Sequence, residues 1–344
     1  MSKYQKKVKI AKRTKRRHEV FSNFKKDLPM VDGKVFVITG TTSGTGFVAA
    51  RTIAELGGEV VLLNRKSSRV ATSMDKLKKA VPKGGKFVSI ECDLQSFESV
   101  RLAVKEIKSK YPKIYCLANN AGIMCTPDEA TVDGYDTQMQ TNHLSHFLLT
   151  AELFPLLQAE AKDSGGGGAC IVNHSSFGRL HTPNKGLEEK YFQKNGGNLG
   201  GNEIKMMGGA CFHRYFQTKL ANSVFTYALD EKLRASEMPI RVVCAHPGAS
   251  NTNLDNHVDF GLFWRFMTPI LQTFMVQSDE EGAMGLIKGM VDPTAESGVL
   301  YGPKNGGTKG LPVPNPKETY ETDPAAFEML WRTSEEATGV KFEI

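Results

Sequence analysis

At 344 residues, with 40% hydrophobic and 24% charged side chains, the chain carries enough apolar mass to bury a full core. Its net charge of +7 sits in a tail: residues 1–26 hold eleven Lys or Arg against one acid, Glu19, so the other 318 residues sum to −3. That distribution assigns the basic character to the N-terminal tail rather than the folded body and argues against nucleic acid as its partner.

Residues 1–29 read as a disordered, solvated arm, although KRTKRR is also the composition of a nuclear-import or nucleic-acid patch or of an arm that touches anionic lipid. Lys outnumbers Arg there, which disfavours a mitochondrial presequence, and no apolar stretch follows that would make a secretory signal. Residues 35–46, VFVITGTTSGTG, then break an apolar strand into glycines at Gly40, Gly44 and Gly46, with a helical segment directly behind. A strand that turns sharply into a helix points unpaired N–H groups and the positive end of the helix dipole at one spot, which suits a phosphate. Gly40, Ser43, Gly44, Thr45 and Gly46 are the candidate cradle.

Residues 59–63, EVVLL, form a second short strand ending at Asn64 and Arg65. About 20 residues past the glycines an acid would grip the ribose 2′-hydroxyl of NAD, whereas an arginine suits the 2′-phosphate of NADP; no acid is present, so Arg65 favours NADP(H) over NAD. A helix rich in lysine follows, then a third strand at 87–90 that runs into Asp93 and Leu94. Asp93 either caps the next helix or accepts from an adenine amino group. A fourth strand at 114–117 meets Asn119, Asn120, Ala121 and Gly122, whose small residues let backbone approach a ligand. A long helix is expected over 134–158, carrying Asn142 among apolar neighbours; His143 and His146 lie on it without a third metal ligand, so no metal site is expected.

A strand at 169–173 ends in His174, Ser175 and Ser176, and a polar, glycine-rich insert spans 182–210. Tyr215 and Lys219 follow on a helix, one turn apart on a single face. A strand at 241–245 leads to Pro247, Gly248 and Thr252. The alternation of strand and helix predicts an α/β fold: a doubly wound, Rossmann-type parallel sheet with helices on both faces, in one domain over 30–315, with residues 316–344 packed on it as an extension. The six cysteines are scattered, with no C-x-x-C pair and no zinc spacing, which fits reduced thiols in an intracellular, cytoplasmic setting.

Taken in order, TGTTSGTG, Asp93, NNAG at 119–122, Asn142, Ser176, YFQTK at 215–219 and HPG at 246–248 resemble the short-chain dehydrogenase/reductase family across residues 33–255. The NHLSHFLLT string, the segment at 298–313 and the SEEATGVKFEI ending are similar to the retinol dehydrogenase and protochlorophyllide reductase-like branch. The resemblance implies an oxidoreductase in which Tyr215 is the general acid, Lys219 favours the tyrosinate and holds the nicotinamide ribose, Ser176 rather than Ser175 bonds the substrate oxygen, and Asn142 positions a relay water. It also implies cofactor contacts from Asp93, Leu94, Asn120, Ala121, Gly122, Pro247, Gly248 and Thr252. Two departures stand out: Thr45 replaces the branched apolar residue usual in the family, and the Ser176-to-Tyr215 interval is long.

The run FGLFWRFMTPILQTFM lies inside a segment, 258–277, that is expected to be an apolar substrate lid, a dimer contact or a site of peripheral membrane contact. The expected substrate is a small apolar carbonyl or alcohol of retinoid, steroid or lipid-aldehyde type, and the expected assembly a homodimer. The competing reading is a non-catalytic NADP-binding scaffold or sensor that uses the basic arm; the Tyr215/Lys219 pair argues against it. A serine hydrolase is excluded by the absence of a G-x-S-x-G elbow.

Overall fold

The structure is a computed structural model that describes residues 19–82, 84–163, 168–202, 209–248, 278–305 and 307–344. Eight strands make one sheet in the order β3-β2-β1-β4-β5-β6-β7-β8. They are β1 (Val35–Thr39), β2 (Glu59–Asn64), β3 (Lys86–Glu91), β4 (Cys116–Asn119), β5 (Cys170–His174), β6 (Arg241–Ala245), β7 (Leu300–Asn305) and β8 (Lys309–Asn315). All pairings are parallel except β7 with β8. The order reverses between β1 and β4, and the crevice beyond the carboxyl ends of those two strands is where such sheets bind ligands.

The helices are α1 (Gly44–Glu55), α2 (Ser68–Ala80), α3 (Phe97–Lys110), α4 (Ser145–Asp163), α5 (Ala210–Ala235), α6 (Asp279–Val291) and α7 (Pro324–Thr338). Side chains alternate across each strand, so the apolar runs feed two cores. Phe36, Ile38, Val60 and Leu62 face α1 and α6, while Val37, Val61 and Leu63 face the core shared with α3, α4 and α5. The predicted doubly wound parallel sheet is therefore the observed fold.

Several boundaries move. The fourth strand lies at 116–119 rather than 114–117. Ile114 is buried below it and donates its N–H to Leu156 O. The long helix is not uniform: a short turn, Thr137–Met139, passes into a π-helical turn, Gln140–Leu144, before α4 begins. The antiparallel β7–β8 hairpin was not anticipated, because Pro303, Pro312 and Pro314 interrupt its pattern; β8 is an edge strand, where proline is tolerated.

The arm boundary at residue 29 is corrected at its inner end. Residues 19–26 are helical, with Phe21 2% exposed beneath the Arg51 guanidinium and Lys25 paired to Glu55 at 2.9 Å. Phe21 and Phe24 give this turn an apolar face that the lysine count concealed.

At the other end, α7 lies along α4 and α5. Trp331 stacks on Phe342 at 5.1 Å and meets Phe147 edge-on at 5.4 Å. The insert is tied down as well: Tyr191 and Phe192 enter the core, and the Asp128 carboxylate accepts the N–H groups of Gly197, Leu199 and Gly200.

Candidate active site

The glycine turn is held by side chains from two neighbouring strands. Gly40 has φ 72°, a left-handed conformation that costs a residue with a side chain, and it closes the turn against Ala121. A Cβ on Gly46 would lie 2.3 Å from Gly40 O and 2.4 Å from Asn120 Nδ2, so α1 starts in direct contact with the turn. Asn120 Nδ2 donates to Thr39 O at 2.8 Å and to Gly40 O at 3.2 Å, and Asn120 Oδ1 accepts from Thr45 Oγ1 at 2.9 Å. Thr45 thus has a physical role: its hydroxyl orients the amide that ties the turn to β4.

On the other flank, Asn64 Oδ1 accepts the Thr41 N–H, and Asn64 Nδ2 donates to Thr41 Oγ1, both at 2.8 Å. Asn64 is a brace that the sequence did not reveal as one. Ser43 is the N-cap of α1, yet its side chain makes no cap hydrogen bond and the first turn has no acid. Its hydroxyl and the N-terminal N–H groups remain for an anion.

A cleft runs along the carboxyl ends of the strands from this turn in both directions. At one end stand Arg65, Ser67 and Arg69; at the other, Tyr215, Lys219 and Pro247. Gly40, Ser43, Gly44, Thr45, Asp93, Leu94, Asn120, Ala121 and Gly122 line it between. Gly46 and Gly248 are not part of this lining: Gly46 abuts Gly40 O and Asn120 Nδ2, and Gly248 donates its N–H to His246 Nδ1 at 3.1 Å; Thr252 and the 258–277 segment fall outside the described residues. Asp93 lines the cleft but does not cap the helix: its Oδ1 accepts the Gln95 N–H at 3.0 Å, while Ser96 is the N-cap of α3, its Oγ accepting the Ser99 N–H at 3.3 Å. Ser67, Arg69, Met124, Thr141 and His174 line the cleft without having been anticipated. For Arg69 the signal was present, four residues after Arg65.

At the Tyr215 end, Lys219 Nζ donates to His174 O at 3.0 Å and lies 5.8 Å from the centre of the Tyr215 ring. Burial lowers the amine to about 8, because a charged ammonium loses its hydration there. The π turn brings Asn142 inward. Its Oδ1 accepts the Ile123 N–H at 2.8 Å; its Nδ2 donates to Ile123 O and to Thr218 Oγ1, both at 2.9 Å. Both amide hydrogens are therefore committed, one to the loop after β4 and one to Thr218 on α5. A Cβ on Gly122 would lie 3.1 Å from Lys219 Nζ and 3.3 Å from Asn142 Oδ1, so a larger residue here would press on both groups.

The two serines separate clearly. Ser175 lines the cleft, but its hydroxyl donates to Lys219 O at 2.6 Å. Ser176 Oγ accepts the Gly178 N–H at 3.1 Å, which leaves its proton for another acceptor, although it does not line the cleft wall itself. His143 and His146 diverge, to Ser334 Oγ at 3.0 Å and Thr39 Oγ1 at 2.9 Å.

With this geometry in view, residues 34–186 match the family model described as short chain dehydrogenase. The polyprenol dehydrogenase of Homo sapiens is 32% identical over 318 residues, 89% of this chain and 86% of that one. The chain belongs to the short-chain dehydrogenase/reductase family. Retinol dehydrogenase 14 of Mus musculus is 30% identical, over 80% of this chain and 79% of its own length, so the retinol dehydrogenase-like branch is the right neighbourhood. Among solved structures, a protein of Mycobacterium paratuberculosis superposes with a TM-score of 0.70 at 28% identity, covering 93% of this chain and 98% of that one. A short-chain dehydrogenase of Shigella flexneri complexed with NADP shares the fold, with a TM-score of 0.55 at 18% identity over 80% of this chain and 98% of that one. The chain is an oxidoreductase of this family, and no helix among the described residues is long and apolar enough to cross a membrane.

Proposed function

We propose that the chain is an NADP(H)-dependent reductase or dehydrogenase acting on the carbonyl or alcohol group of an apolar substrate. The observation that carries this reading is one cleft with two unmatched arginines at one end and a tyrosine beside a buried lysine at the other. Arg65 and Arg69 are exposed and make no ion pair among the described residues, while no acid stands at the end of β2 to receive a ribose hydroxyl. The donor set at the turn fits a dinucleotide: Ser43 uncapped, helix N–H groups pointing outward, and small residues at 121–122. Arg65 and Arg69 would hold a 2′-phosphate, and Lys219 the nicotinamide ribose. Bound NADPH supplies the hydride.

The chain's own residues handle the proton and the charge. Tyr215 gives its phenolic proton to the carbonyl oxygen. The Lys219 ammonium beside it lowers the cost of the tyrosinate that results. Ser176 donates its remaining hydroxyl proton to the substrate oxygen as negative charge builds there. Asn142 holds Ile123 and Thr218 in place around the amine and, through its remaining Oδ1 lone pair, is suited to anchor a relay water.

An apolar substrate is supported by the wall around Tyr215, where Phe212 and Phe216 pack and Phe177 stays 39% exposed. The names of the polyprenol and retinol dehydrogenases point the same way. A homodimer in an intracellular compartment, with peripheral membrane contact through 258–277, completes the reading.

The test is a titration of NADPH and NADH into purified protein, followed by turnover of a panel of aldehydes by wild type and Tyr215→Phe. We expect NADPH to bind more tightly, and long-chain or retinoid-like aldehydes to be preferred over small polar ketones. Tyr215→Phe is expected to lower turnover by about a thousandfold while cofactor affinity holds. Turnover that survives the substitution would sink the proton-donor role.

A further inference from the structure

Two cysteines sit face to face beside the catalytic tyrosine. Cys211 Sγ lies 3.0 Å from Cys125 Sγ, within about 1 Å of a covalent S–S length, and the two are not joined. Cys125 belongs to the loop after β4 and directly follows Met124, which lines the cleft. Cys211 is on α5, one turn before Tyr215 and on the same face. The main chain is shaped to present this pair. Cys125 has φ 50°, a left-handed conformation unusual for a residue with a side chain. Buried Gln138 clamps both: its Oε1 accepts the Cys125 N–H at 2.9 Å, and its Nε2 donates to Cys211 O at 3.2 Å.

We propose that Cys125 and Cys211 are a modification site at which hydrogen peroxide installs a reversible disulfide that slows turnover. Cys125 is 3% exposed and Cys211 wholly buried, so Cys125, next to the cleft wall, meets peroxide first. Its thiolate attacks one peroxide oxygen, the O–O bond breaks, and a sulfenic acid forms as water leaves. The Cys211 sulfur then attacks that sulfur: the S–S bond forms, the S–O bond breaks and a second water leaves. Two thiols are oxidised by two electrons and one peroxide is reduced to two waters. The bond spans 86 positions of sequence and fastens the loop that carries Gly122 and Ile123 to the helix that carries Tyr215 and Lys219. Opening of the cleft between those two elements is what the bond restrains.

The effect on turnover rests on the function proposed above; the bond itself does not. The experiment treats reduced wild type, Cys125→Ala and Cys211→Ala with a small excess of hydrogen peroxide. It reads linked peptides by mass spectrometry, the thermal midpoint, and aldehyde turnover before and after a dithiol. We expect a Cys125–Cys211 link in wild type alone, a raised midpoint, and turnover lowered by about tenfold and restored by the dithiol. Both variants are expected to turn over normally and to ignore peroxide. No link, or links that join other cysteines instead, would overturn the site. A clean link with unchanged turnover would overturn its control of activity. A reduced wild type without turnover would count against the proposed function, while the peptide map and the midpoint still decide the bond.

Discussion

The two sides of the crevice are built from different materials. The side made by β1, β2 and α1 has a largely apolar core, and what it turns toward the cleft is a glycine turn shaped by a few amides, with the exposed Arg65 and Arg69 at its edge. The side made by β4, β5 and α5 buries a polar lattice. Asn119 Nδ2 donates to Thr150 Oγ1 and Asn173 Oδ1; Asn173 Nδ2 reaches Thr226 Oγ1, and Asn222 Nδ2 meets Lys219 Nζ at the His174 carbonyl. Two fully buried ion pairs, Arg214–Asp136 and Arg179–Glu321, belong to the same side. Holding a phosphate needs backbone direction, which glycine and a helix provide. Keeping a lysine amine in one place, stripped of water, needs a hydrogen-bonded scaffold.

If the contrast is real, the polar side should be the brittle one. Arg214 uses its donors on Asp136 Oδ1 at 2.6 Å, Thr126 O at 2.7 Å and Gly200 O at 3.1 Å. Arg214→Met leaves a carboxylate buried without its partner and is expected to cost about 3–5 kcal/mol in urea unfolding. A loss below about 1 kcal/mol would mean that the lattice relaxes freely and the comparison fails.

Acid should attack the same side. Burial lowers His143 and His174 to about 3, and His146 and His246 to about 4. Unfolded histidines take up protons near pH 6.5. Between there and about pH 4 the unfolded chain therefore binds protons that the folded chain refuses, so stability is complete above pH 6.5 and drains away as pH falls. Thermal midpoints across pH 4–8 measure the slope. His146→Gln should make it shallower by one histidine's share of the four, and an unchanged slope would mean that His146 does not contribute.

The dinucleotide side should respond in affinity rather than stability. Arg65→Asp is expected to weaken NADPH by about 10- to 100-fold, leaving NADH within about twofold and the melting curve in place. Equal losses for both cofactors would make Arg65 a shaping residue of the strand end.

The same contrast explains what could be read from the chain. The apolar runs and glycines of the first three strands spell out the sheet, because backbone geometry there depends on local residue type. Tyr215, Lys219 and Ser176 were legible as types at spacings. Their settings were not: that Ser175 is spent on the Lys219 carbonyl, and that a π turn aims Asn142 at Ile123 and Thr218, depend on contacts between residues 19 to 76 positions apart. The β7–β8 hairpin was hidden by its own prolines, and the helical turn at 19–26 by the lysines around its two phenylalanines.

Thr45 makes the finest test. Its hydroxyl donates to Asn120 Oδ1 at 2.9 Å while Asn120 Nδ2 bonds the main chain of the glycine turn, so one methyl-sized change reaches that turn through a single amide. Thr45→Val keeps the shape and supplies the branched apolar residue usual in the family, but leaves Asn120 Oδ1 without its donor. The expected cost is about 1 kcal/mol of stability, with NADPH and NADH both weakened a few-fold because neither 2′-substituent is near the change. A Thr45→Val protein that keeps full stability and full affinity would show that van der Waals contact alone positions Asn120. The glycine turn would then be as purely apolar in its support as the strands beneath it.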